Sequence, residues 1–168
     1  MCIRDRASRL IDVDGQVDLY EYCFYRVLRI SLGQAANPAN SPGPRRRARR
    51  EVRQAAIDLL TVVADYGHKD SASSGKAFDA GKTYFGKWAR EHSYESRERY
   101  TLRALERSLD LLTTLNGKGR QLILKAVTAV AVHDNRVTTA ETALIRTICA
   151  SLDVPLPPLL AGRRNISE

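Results

Sequence analysis

The chain has 168 residues, 43% hydrophobic and 27% charged, which suits one globular domain with enough apolar side chain to bury a core. Lys and Arg outnumber Asp and Glu by 27 to 19, for a net charge of +8 and a pI near 9.7, and much of that excess sits in one arginine run. No apolar run reaches the roughly 18 residues a membrane-spanning helix needs, and three cysteines without CxxC spacing exclude a zinc knuckle or disulfide framework and point to a reducing compartment.

Residues 1–6, Met1-Cys2-Ile3-Arg4-Asp5-Arg6, read as the in-frame translation of a transposon-end sequencing adaptor and are set aside from the fold. On that reading the chain is a fragment of a longer protein, cut upstream of Ala7. Residues 7–13 read as the end of a helix carrying Leu10 and Ile11, stopped at Asp14-Gly15. The next helix opens at Asp18, with an expected buried face of Leu19, Tyr20, Cys23, Phe24, Val27 and Leu28 and with Arg26 and Arg29 on the wet side. Cys23 falls in that stripe, which favours a buried structural thiol over a nucleophile.

From residue 33 to residue 44 the composition turns to Gly, Asn, Ser and Pro, with Pro38, Pro42 and Pro44 forbidding regular structure. The run Arg45, Arg46, Arg47, Arg49 and Arg50 follows, so that 34–50 reads as a Pro- and Arg-rich internal linker. A solvated cluster is the plain expectation for it. An anionic membrane surface or nucleic acid is the sharper one, nucleic acid being disfavoured because no aromatic residue is interleaved with the arginines.

Residues 51–66 form the longest amphipathic pattern, with Val52, Ala55, Ala56, Leu59, Leu60, Val63 and Ala64 on one face, and Gly67 stands where a left-handed C-cap is wanted. Ser71 or Ser73 then caps a helix running through Phe78 and Gly81 to Trp88, and His68 in the polar loop reads as solvated. Residues 90–99 carry no clear apolar face. Thr101 caps a helix with Leu102, Leu105, Leu109 and Leu112 in register, stopped by Asn116-Gly117.

The stretch 122–152 is the clearest in the chain, and the fold is expected to be organised around it. Leu122, Ile123, Ala126, Val127, Val130 and Ala131 line one helix face; Ala140, Ala143, Leu144, Thr147, Ile148 and Leu152 line the next. Between them Asn135 tolerates a left-handed conformation, and Thr138 with Glu141 forms a capping box. After Leu152, three prolines end the helix; an apolar tail is expected to pack back on the core, and 161–168 to fray.

Asp14-Gly15-Gln16-Val17-Asp18-Leu19-Tyr20-Glu21 matches Asp134-Asn135-Arg136-Val137-Thr138-Thr139-Ala140-Glu141 position by position, so the chain begins and ends with related helix–Asp-turn–helix units. The fold class that follows is an all-α compact bundle of six or seven helices, one domain over 7–160. Asp14, Glu21, Asp134 and Glu141 are the one polar constellation. They either bring four carboxylates to a divalent ion, or brace the turns and cap the helices. An EF-hand is excluded, because Cys23 occupies the twelfth loop position where a bidentate Glu is required. His68, His92 and His133 form no HExxH, and GxGxxG, GxSxG and Gly-rich phosphate loops are absent, so no enzyme is expected within this chain.

The Asp-x-x-Val-x-x-x-Glu hairpins resemble the TerB-like helical domain, named for bacterial tellurite-resistance proteins. The ending at 126–160, with Val-Ala-Val-His-Asp-Asn-Arg-Val-Thr-Thr-Ala-Glu and Pro-Leu-Pro-Pro-Leu-Leu, resembles the C-terminus of bacterial HtpX-like membrane zinc metallopeptidases that carry a cytoplasmic helical extension; residues 10–32 and 59–81 resemble earlier parts of it. That resemblance implies a non-catalytic regulatory or protein-interaction domain, cytoplasmic and tethered to the inner membrane through upstream helices. Its partners would be the parent peptidase domain and other proteins, with peripheral contact to anionic membrane. No cofactor is then expected in this chain, the zinc and its HExxH lying upstream. The TerB-like likeness implies the alternative, a stand-alone stress protein holding a divalent cation at the matching Asp14, Glu21, Asp134 and Glu141. A third reading is a basic binder of nucleic acid or anionic lipid through Arg45–Arg50.

Overall fold

The computed structural model of the protein describes residues 19–36, 48–95 and 102–157, and every regular element among them is helical. In chain order these are α1 (Leu19–Ala36), α2 (Arg49–Gly67), α3 (Ser71–Lys82), two single 3₁₀ turns (Thr83–Phe85 and Lys87–Ala89), α4 (Leu102–Leu112), α5 (Gly117–Ala131) and α6 (Thr139–Leu152). The fold is the all-α bundle that the periodicity predicts. The readings that fall on 1–18, 37–47, 96–101 and 158–168 lie outside the described residues; these include Asp14, Arg45, Arg46, Arg47 and Thr101.

The centre of the bundle is α2 rather than the 122–152 hairpin, since α3, α4, α5 and α6 all pack on it. Between Ala55 and Ala64 only Asp58 escapes full burial, and Ile57, Thr61 and Val62 are enclosed together with the expected face. A helix apolar nearly all round belongs in a bundle interior. The one hydroxyl in this run is satisfied within the helix, Thr61 Oγ1 donating to the Ile57 carbonyl at 3.1 Å. Each fully enclosed Leu or Phe here, such as Leu59, Leu60 and Phe78, contributes about 1.5–3 kcal/mol relative to exposure.

Helix ends depart from the expected pattern in instructive ways. Asp70, not Ser71 or Ser73, caps α3: its carboxylate accepts from the Ser73 amide at 2.9 Å and the Ser73 hydroxyl at 2.8 Å, and these bonds hold the carboxyl below its ordinary pKa. α3 then stops at Lys82 and passes into the 3₁₀ turns on either side of Gly86, whose φ of 73° is the left-handed region. Asn116 opens α5 rather than ending α4, its side chain accepting from the Gly119 amide at 2.9 Å. Leu105, Leu109 and Leu112 do face the core, whereas Leu122 on α5 is 40% exposed. α3 and α5 approach closely at Gly81, where an added Cβ would stand 2.4 Å from a Val130 methyl.

Gly67 is the last residue of α2 and not a left-handed cap. It is glycine because the Glu141 carboxylate lies against it; a Cβ there would stand 2.1 Å from Oε1. At the far end of α6, Asp153 takes the left-handed conformation (φ 51°), and the Val154 amide returns to the Cys149 carbonyl at 3.1 Å. Val154 packs on the core as the tail reading expects, while Leu156 is 36% exposed.

Candidate interaction face

The second Asp turn folds as the sequence predicts. Asp134 accepts from the Arg136 amide at 2.9 Å, Asn135 has φ 60°, and the capping box closes: the Glu141 amide donates to Thr138 Oγ1 at 3.1 Å and the Thr138 amide to Glu141 Oε2 at 2.7 Å. Glu141 is nevertheless not a surface cap. It is 1% exposed, and its second oxygen, Oε1, is buried without a hydrogen-bond partner. Burial pushes its pKa up against the opposing bonds from Thr138.

His68, expected to be solvated, lies beside this carboxylate. Its Nδ1 is 3.1 Å from the Ala64 carbonyl, which can only accept, so Nδ1 carries a proton; Nε2 is buried without a partner. The His133 ring centroid is 6.4 Å away. Of the four expected carboxylates, then, Glu141 is enclosed, Asp134 is exposed and turned to its own backbone, Glu21 is exposed on the first turn of α1, and Asp14 lies outside the described residues. Among the described residues no three His, Cys, Asp or Glu side chains are placed to share a metal ion.

The face of α1 is the largest departure from expectation. Leu19 and Cys23 point inward as expected, together with Tyr22 and Arg26, but Tyr20, Phe24 and Leu28 point outward, so half of the stripe read as buried is solvent-facing and the arginine read as wet is 2% exposed. Arg26 is neutralised where α1 meets α4 and α6: Nη2 donates to Asp110 at 2.8 Å, Nε to the Ser151 hydroxyl at 2.8 Å, and Glu106 stands 3.7 Å from Nη1. Glu106 also pairs with Arg29 at 2.9 Å. Tyr22 is buried beside Arg26, and desolvation raises its pKa well above the ordinary phenol value. Cys23 is the buried thiol expected, and burial likewise moves Cys149 up to about 11.

The outward stripe consists of Tyr20 (45% exposed), Phe24 (72%), Leu28 (38%) and Leu32 (44%), one residue per turn along α1. Extending the match between the two units shows what it is. With Asp14 aligned to Asp134, Phe24, Leu28 and Leu32 correspond to Leu144, Ile148 and Leu152 on α6, each no more than 1% exposed, and Arg26 corresponds to the exposed Arg146. The face that α6 buries is the face that α1 leaves open.

Of the arginine run, Arg49 and Arg50 form the exposed start of α2. They share an open cleft of about 510 Å³ with Arg53, Trp88, Glu91 and His92. The Arg53 guanidinium lies 4.9 Å from the Trp88 ring centroid. The aromatic residue absent from the run in sequence is thus supplied from the second 3₁₀ turn, which no local pattern announces.

No protein-family model, no curated protein and no solved structure matches the chain.

Proposed function

We propose that this chain is a non-catalytic helical interaction domain whose α1 stripe receives the polypeptide that precedes it, as the inner face of α6 receives α5. The observation that carries this reading is the inversion of equivalent faces: Leu144, Ile148 and Leu152 lie in the core while Phe24, Leu28 and Leu32 are open. A contiguous exposed apolar stripe on a packed helix marks a contact surface. The segment that enters α1 is suited to begin covering it, since Leu10 and Ile11 correspond to Val130 and Ala131, both fully buried on α5. The likeness to the helical extension of HtpX-like membrane zinc metallopeptidases supports a parent in which the preceding polypeptide is the peptidase. This domain would then be its cytoplasmic C-terminal part, positioning the enzyme or presenting it to partners.

The test is to recover the coding sequence upstream of Ala7 and express the parent protein. An HExxH flanked by membrane helices is expected there. In that parent, Phe24→Glu/Leu28→Glu should free the domain, seen as faster proteolytic cleavage ahead of α1, while a chain starting at Asp18 and carrying the same pair keeps its own Tm. A short upstream region without a peptidase, or a parent indifferent to the pair, would contradict the reading.

A further inference from the structure

We infer that the surface where the start of α2 meets the second 3₁₀ turn lies on an anionic membrane, its guanidinium groups taking the phosphates of lipid headgroups. This is independent of the α1 stripe. Arg49, Arg50 and Arg53 converge on one open cleft, and among the described residues none of the three makes a salt bridge. Among the described residues Glu91 is the only carboxylate lining that cleft, so the charge they bring to it is predominantly positive. Three further arginines, Arg45, Arg46 and Arg47, precede Ala48 directly in the chain. Clustered cations of this kind bind anionic headgroups with an energy that adds per residue.

The aromatic residues decide between a membrane and nucleic acid. Trp88 is already stacked by Phe85 at 5.4 Å and 16°, covered by Arg53 at 4.9 Å and approached edge-on by His92 at 6.0 Å. An indole so occupied is not a platform for a nucleobase, which single-strand binding requires. Tyr84, next to Phe85, is 47% exposed, and Lys87, next to Trp88, is exposed. Trp and Arg together at one open cleft is a composition that sits at headgroup level. Among the described residues no helix is long and apolar enough to cross a membrane, so the contact is peripheral.

Trp88 is the only tryptophan in the chain and reports on the site directly. The whole chain should sediment with mixed phosphatidylglycerol–phosphatidylcholine vesicles and not with phosphatidylcholine alone. Bromine-labelled acyl chains should quench its emission, and added salt should release it. Arg49→Gln/Arg50→Gln, which leaves the Arg53–Trp88 contact intact, should weaken partitioning by about 25-fold, roughly fivefold per charge. Adding Arg53→Gln should bring the loss to about a hundredfold. Absence of binding to the anionic vesicles, binding without quenching, undiminished binding by the double variant, or tighter binding to DNA or RNA than to vesicles at the same salt would each overturn the assignment.

Discussion

At Glu141 a residue legible as a helix cap turns out to be a buried acid. The capping box could be read from Thr138 and Glu141 alone, because its partners are three residues apart. The enclosure could not, because Gly67 and His68 reach the carboxylate from the end of α2. An ionised carboxylate with one oxygen buried and unpartnered costs about 1–3 kcal/mol, and protonation relieves part of that. Since the folded state holds this proton more tightly than the unfolded chain does, the residue's contribution to stability is full below the ordinary carboxylate range. It is lost as pH rises through the raised folded pKa. Glu141→Gln keeps an acceptor for the Thr138 amide but does not titrate. The Tm of wild type minus that of Glu141→Gln should therefore fall as pH rises from about 4 to about 7; a difference independent of pH would show that the carboxyl titrates normally.

Among the elements, those whose register depends on local chemistry follow the sequence: the α5–α6 hairpin, Asn135 at φ 60°, and Leu105, Leu109 and Leu112 on α4. α1 does not, for a physical reason. It carries two stripes that could face inward, and periodicity alone does not rank them. The choice falls to Leu19, Tyr22, Cys23 and Arg26 because Asp110, Glu106 and Ser151, all distant in sequence, are placed to neutralise a buried guanidinium. Gly67 makes the same point at a helix end, where a residue suited to a local cap is instead needed for close approach. Gly67→Ala should therefore cost about 1–3 kcal/mol in urea unfolding through overpacking. Gly33→Ala, inside α1 with nothing within 4 Å of the added methyl, should gain up to ~1 kcal/mol. Equal effects at the two sites would mean that Glu141 does not pack on α2.

Over the whole molecule, one core runs from α2 to all its neighbours, and one helix, α1, buries its back to that core while turning a core-like stripe to solvent. The relation between the two Asp-turn units was visible in sequence; that α1 turns outward the face whose equivalent α6 buries required the fold. The same holds for the Arg49–Trp88 cleft, which joins an arginine run to a tryptophan a whole helix later. The central claim, that the α1 stripe takes the polypeptide preceding it, begins with residues already in this chain. In a Cys2→Ser background the remaining thiols, Cys23 and Cys149, are buried, so maleimide reports on an introduced cysteine. The most direct measurement is the labelling rate of Phe24→Cys on the stripe against Arg146→Cys on the exposed face of α6. It should be made in the whole chain and in one starting at Asp18. The account predicts that Phe24→Cys labels more slowly than Arg146→Cys in the whole chain and that removing 1–17 abolishes the difference. Equal rates in the whole chain, or protection that survives the truncation in a dimer, would contradict it.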